Sequence, residues 1–398
     1  MRLVGDLRRV ADTDMAATVP PMQSSNPRVQ AIMDAGQKQW RKRRGLGGPK
    51  LNLHAVLTAA RQRTLLEDFG SGDFRDGLDA LLVALNQSAM TPAEQRRLSD
   101  MIVSRLQARL RIRDWVKKNP PVVDEDIREP IIVTGTDPAG VELLGRVLAE
   151  DVFNRAPLRW EAASVAPASV ASTRGHDSRI AAYPGEGAGL PAPCDDLLAN
   201  AFADPFTGWW DGGEYQQTWL SADQEAGYEF HRLQLQILQS SWPTQRWVLH
   251  STAHLGQLHA LLRTYPDARV VWVHRNPAHV VERVAGADPT IDRAGVARQL
   301  QKIIARSLDA RGQHPETSFF DLQYVELVDD PVGAVERFYR DWGIELPDLS
   351  RWRMQALLAE SNTIPSPVSP ERPAVTQLRA ELADYVSTYE IPSEISLL

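Results

Sequence analysis

The chain of 398 residues holds a single cysteine, Cys194. One thiol excludes an internal disulfide and any cysteine-rich metal site. No apolar run approaches the roughly 20 residues that a membrane-crossing helix needs. The opening stretch MRLVGDLRRVADTDM carries arginines but no apolar core of leader length, so a cytoplasmic protein without a transmembrane segment is expected. Basic charge is not in surplus. Lys and Arg number 44 against 51 Asp and Glu, a net charge of −7, whereas general nucleic-acid binding asks for a basic domain. The G-K-[ST] end of a nucleotide-hydrolysing phosphate loop is missing too, as is an acidic metal-binding strand, which sets that class of enzyme far down the list.

What is present is an ordinary globular balance, 43% hydrophobic and 24% charged, in a chain long enough to bury a large core. Residues 1–50 read as a flexible segment. Their basic cluster Arg41-Lys42-Arg43-Arg44 is either a solvated linker or a contact for an anionic surface. Residues 51–120 read as a helical subdomain. LNLHAVLTAARQRT follows Asn52 as a cap, and FRDGLDALLVALNQ repeats an apolar stripe. TPAEQRRLSDMIVSRLQARLRIRDWVKK opens on a Thr91–Glu94 capping box and stops at Asn119-Pro120-Pro121.

From 128 to 398 short β-branched runs alternate with helices. The runs are IIVTG (131–135), RWVLHS (246–251), RVVWVH (269–274) and SFFDLQY (318–324). HLGQLHALLRTY lies between the second and third, which makes a strand–helix–strand unit with a parallel pairing. The expected fold is therefore α/β, a doubly wound, mainly parallel sheet with a helical N-terminal subdomain. Ligands in such folds sit outside the carboxyl ends of the strands. That directs attention to residues 134–140, 250–254 and 274–283. Residues 161–200, rich in Ala, Pro and Gly, read as a long surface excursion. Trp209, Trp210 and Trp219 follow it and either pack in the core or line an apolar acceptor pocket.

The stretch REPIIVTGTDPAGVELLGRVLAE has the strand–loop–helix shape of a phosphate cradle. Its loop nevertheless holds Asp137 and Glu142 and no Lys, Arg or Ser. Asp137-Pro138 is also a favoured helix start, Asp as N-cap and Pro as first residue. A capping Asp137 would take the amide hydrogens that a phosphate wants, so a self-capped loop is expected. His250 and His254 have helical metal-ligand spacing, but no HExxH pattern or third ligand accompanies them, and no metal is expected.

Several blocks, taken together, resemble the bacterial sulfotransferases that use 3′-phosphoadenosine 5′-phosphosulfate (PAPS). They are ARQRTLLEDFG and FRDGLDALL, the loop at 135–144, LAEDVFNRAPLRWE (148–161), RWVLHSTAHLGQLHALLRTYPDARVVWVHRNPAHVV (246–281) and the Asp-Pro start at 330. The resemblance spans about residues 51–360. It implies a P-loop-like sulfotransferase fold, PAPS as cofactor and a small-molecule hydroxyl acceptor. The family loop, Gly-x-Pro-Arg-Thr-Gly-Thr-Thr, stands here as Gly135-Thr136-Asp137-Pro138-Ala139-Gly140-Val141-Glu142. Both glycines are kept; the basic residue and the three threonines are not. The resemblance puts Gly135, Thr136, Gly140 and Val141 at the donor's 5′ end. It puts Arg275 of HRNP, with Arg283 where the family has Ser, at the 3′-phosphate. His250 stands where the family has Lys, as a candidate catalytic group, and Glu161 of the RAPLxWE segment is the candidate base. Two readings follow. One is a sulfotransferase with a divergent 5′-phosphosulfate loop. The other is a non-catalytic relative with a degenerate active site, kept as a binding or partner protein.

Overall fold

A computed structural model describes residues 50–88, 90–166, 187–205, 213–285, 292–315, 318–360 and 382–392. The expected flexible segment 1–50 with its basic cluster, the middle of the 161–200 excursion, and Trp209 and Trp210 lie outside the described residues. The longer helices are numbered in chain order.

Three helices come first: α1 (Leu53–Thr64), α2 (Phe74–Gln87) and α3 (Pro92–Lys118). Their start signals work as chemistry predicts. Asn52 accepts the Ala55 amide, and Thr91 and Glu94 cap α3 reciprocally. Such caps contribute about 1 kcal/mol each. The apolar stripes meet in one cluster, in which Leu78, Leu81, Ile102, Leu106 and Leu110 are fully buried. The cluster takes in Phe202 and Tyr215 from further along the chain.

A five-stranded sheet follows, built from β1 (Ile131–Gly135), β2 (Asn154–Arg155), β3 (Arg246–His250), β4 (Arg269–His274) and β5 (Phe319–Gln323). The order is β2-β3-β1-β4-β5, with every pairing parallel. The crossovers carry α4 (Pro138–Leu148), α5 (Gly213–Ser221), α6 (Glu225–Ser241), α7 (Pro277–Ala285) and α8 (Arg293–Gly312). After β5 come α9 (Pro331–Asp341), started by Asp330 on the Gly333 amide, and α10 (Asp348–Glu360). Alternation along the strands separates two cores. Ile132, Trp247, Leu249 and Val270 face one layer, while Ile131, Val133, Val248, Val271 and Val273 face the other. A strand buried on both faces must be apolar throughout, which is why IIVTG and RVVWVH show no polar alternation.

Two sequence expectations need revision. HLGQLHALLRTY does not form one helix; the chain makes short helices at Ala253–Gly256 and Leu258–Thr264. The edge strand β2 was not foreseen, since two residues leave no periodic signal. Among the described residues no helix is long and apolar enough to cross a membrane.

Candidate functional site

The carboxyl ends of β1, β3 and β4 converge on the start of α4, as a doubly wound sheet requires. β1 lies between its neighbours, with Ile131 to Val133 beside Val248 to His250 and Gly135 beside Val273. Side-chain bonds lock the crevice floor. Thr134 Oγ1 donates to the Ser251 carbonyl at 2.9 Å, and Ser251 Oγ donates to Asp195 Oδ2 at 2.6 Å.

The loop glycines are sterically obligatory. A Cβ on Gly135 would stand 2.4 Å from the Val273 carbonyl oxygen, and one on Gly140 would stand 2.9 Å from the Tyr324 ring. The close approach of α4 to the sheet therefore depends on both. Val141 is only 2% exposed and packs in the core, and its amide donates to the Asp137 carbonyl as the first helical bond. Val141, expected at the ligand site, has its side chain and its N–H both engaged in the fold. Thr136 is different, for its Oγ1 is buried without a hydrogen-bond partner beside the turn.

The self-capped loop is also corrected. Asp137 occupies the N-cap position, but its side chain makes no capping hydrogen bond. It turns away, fully buried, and accepts from Arg275 Nη1 at 2.8 Å. Arg283 Nε lies 2.6 Å from the other carboxylate oxygen. That oxygen has no aligned hydrogen bond, so the Arg283 contact is an ion pair whose N–H does not point at it. The two arginines are unequal. The Arg275 side chain is 6% exposed and lies 3.9 Å from the Tyr324 ring centroid, whereas that of Arg283 is 40% exposed. Arg275 is a strut, and Arg283 keeps guanidinium surface toward solvent.

His250 is 2% exposed, and its ring packs where a Cβ on Gly145 would collide with it at 2.6 Å. Burial, with Arg159 adding, lowers its pKa to about 4. The imidazole is neutral at pH 7 and is not the cation that a lysine would be. Glu161 is 4% exposed, with both oxygens in use: Arg155 Nη2 donates at 2.5 Å and the Leu158 amide at 2.9 Å. Arg155 in turn donates to the Leu238 and Trp242 carbonyls and sits over Trp247. Glu161 is thereby a brace and not a free base.

A sequence model of the sulfotransferase family matches residues 130–348, more than half of the chain. The chain belongs to the sulfotransferase family. Sulfotransferase STF9 from Mycobacterium avium superposes with a TM-score of 0.78 at 24% identity, covering 87% of this chain and 99% of that one. Sulfotransferase STF1 from Mycobacterium tuberculosis H37Rv gives 0.69 at 24% identity, covering 84% and 99%. At that identity the likeness carries the fold. No curated protein sequence matches the chain.

Within this sulfotransferase fold, two charged groups near the crevice escaped the sequence reading. Asp195 sits where the segment 194–198 meets the end of β3, held there by the Cys194 amide on the His250 carbonyl. Burial raises its carboxyl to about 6, against the opposing pull of the Ser251 hydroxyl. Arg159 is the variable residue of RAPLxWE, and its Nη2 lies 3.7 Å from Glu142 Oε1. An Asp-Asp pair after a proline and an arginine in a motif's variable slot carry no local signal of their own.

Proposed function

We propose that the protein binds PAPS across the carboxyl ends of β1, β3 and β4 and transfers its sulfuryl group to the hydroxyl of a small molecule. One observation carries this reading: the Asp137 carboxylate leaves the first-turn amides of α4 and goes to Arg275 and Arg283. The positive end of the helix stays uncapped by any side chain, beside the partnerless Thr136 hydroxyl. Both are donors of the kind an anionic group seeks. Gly135 and Gly140 keep the loop open enough for that approach, and Arg283 offers its outer nitrogens to a 3′-phosphate while Asp137 fixes its Nε end. The loop is divergent in side chains but not closed.

The donor, when bound, supplies the sulfuryl group as an electrophile. The chain's own work is to hold its charged ends and to accept the acceptor's hydroxyl proton. Glu161 has no free oxygen for that proton. Asp195, with a carboxyl near pKa 6 at the strand ends, takes it in this reading. His250 stays neutral and shapes the wall.

A second reading, a non-catalytic relative, is favoured by the charge pairing itself, since Asp137 and Glu142 each engage a cation. Calorimetry with 3′,5′-ADP, the desulfated donor, separates the two. Micromolar binding at modest ionic strength is expected. Binding only in the millimolar range, or none, transfers the case to the non-catalytic reading.

A further inference from the structure

The family loop carries a basic residue where this chain has Pro138, and a lysine where it has His250. Two cations are therefore missing from the 5′ end, and His250 is buried and neutral. One guanidinium reaches the helix that carries Pro138 and acts electrostatically on His250. Arg159 approaches Glu142 on α4 at 3.7 Å; its charge adds to burial in lowering the pKa of His250 at the end of β3 and, with Arg105, opposes the burial that raises that of Asp196 on the neighbouring short helix. Its contact is thus with α4, and its charge reaches β3 and the 195–198 segment.

The backbone that presents it is braced from both sides. The Arg159 amide donates to the Leu190 carbonyl at 3.0 Å, the Trp160 amide to Ala188 at 3.3 Å, and Leu158 bridges to Pro191. Glu161 pins the same turn through the Leu158 amide and Arg155. The side chain, by contrast, is loosely engaged. It is 33% exposed, and among the described residues its one acidic neighbour within ion-pair range is beyond hydrogen-bond distance and 55% exposed, and its guanidinium makes no hydrogen bond. A rigid mount with a weakly paired cation is the arrangement of an anion site.

We infer that Arg159 supplies the positive charge for the donor's 5′ end, in place of the cations that the loop and β3 no longer provide. The inference rests on the PAPS reading above and adds the residue that makes it electrostatically workable. It also gives the Arg155–Glu161 pair a purpose as the support of the turn that carries Arg159.

The test is calorimetry on the full chain and on Arg159→Gln and Arg159→Lys, each with 3′,5′-ADP and with adenosine 3′-monophosphate, which lacks a 5′ anion. Arg159→Gln is expected to weaken 3′,5′-ADP by about tenfold or more and to leave the 3′-monophosphate unchanged, with Arg159→Lys restoring most of the loss. If wild type binds 3′,5′-ADP and Arg159→Gln binds it equally well, or weakens both nucleotides alike, the inference falls while the donor reading stands. If wild type binds neither nucleotide, the donor reading falls and takes this one with it.

Discussion

The two flanks of α4's first turns carry the same kinds of charge and treat them differently. On the β4 side Asp137 is fully buried between Arg275 and Arg283, with contacts of 2.8 and 2.6 Å. On the other side Glu142 and Arg159 are 3.7 Å apart, the carboxylate more than half exposed and the arginine one third exposed. The first is a closed unit, in which a charge taken out of water is met by its partners. The second is an open pair, worth little to the fold and free to exchange partners. Charge type alone does not separate the two arrangements; burial and contact geometry do.

The strongest way to break that comparison is Asp137→Ala. It leaves Arg275 buried without its counter-ion and is expected to destabilise the fold by about 3–5 kcal/mol in chemical denaturation. A loss below about 1 kcal/mol would mean that the flank is not closed at all. Next is the loop itself. Pro138→Arg, Ala139→Thr, Val141→Thr and Glu142→Thr together replace the missing donors and remove one carboxylate, and 3′,5′-ADP affinity should rise about tenfold or more. Because Val141 is a core residue, the version that leaves Val141 in place should gain nearly as much. No gain in either would place the deficit elsewhere.

A pH titration sharpens the contrast with the interior. His231 and His250 have pKa values lowered by burial to about 3 and about 4. Below the ordinary histidine value near 6.5 the unfolded chain binds protons that the folded one does not. Their contribution is therefore complete above about pH 6.5 and falls as the pH drops through 4 toward 3. The melting temperature should decline over that window, and a flat profile from pH 7 to 4 would contradict the burial of both rings. The smallest effect belongs to the open flank. Glu142→Gln should change stability by less than about 1 kcal/mol and tighten 3′,5′-ADP roughly threefold by freeing Arg159, an increment read by calorimetry.

Much of the architecture was legible because its signals are local. The bounds of α2 and of the strands IIVTG and RVVWVH agree with the structure to the residue, and the Asn52 and Thr91–Glu94 caps form as their side chains dictate. The site was legible only in outline. Asp137 was foreseen as the residue that sets the loop's character, but its partner was mistaken: an Asp before Pro reads as an N-cap. The cap was lost to two arginines 138 and 146 positions further along the chain, which offer a buried carboxylate far more than a helix amide does. Glu161 was read as a candidate base or the acid of an ion pair; the structure gives the ion pair, with Arg155 six residues earlier, and it is the Leu238, Trp242 and Trp247 contacts fixing that arginine which no local pattern announces.

By itself the amino-acid sequence determined the four longer strands, the capped helix starts at Asn52 and Thr91, the two obligatory loop glycines and the family resemblance, since each signal is carried by residues close together in the chain. Only the tertiary structure decided where the charges go. Asp137, Arg159 and Asp195 acquire their surroundings from partners brought together across β1, β3 and β4, and the free energy of a charge depends on who stands within a few ångströms and how much water remains, which spacing along the chain does not encode.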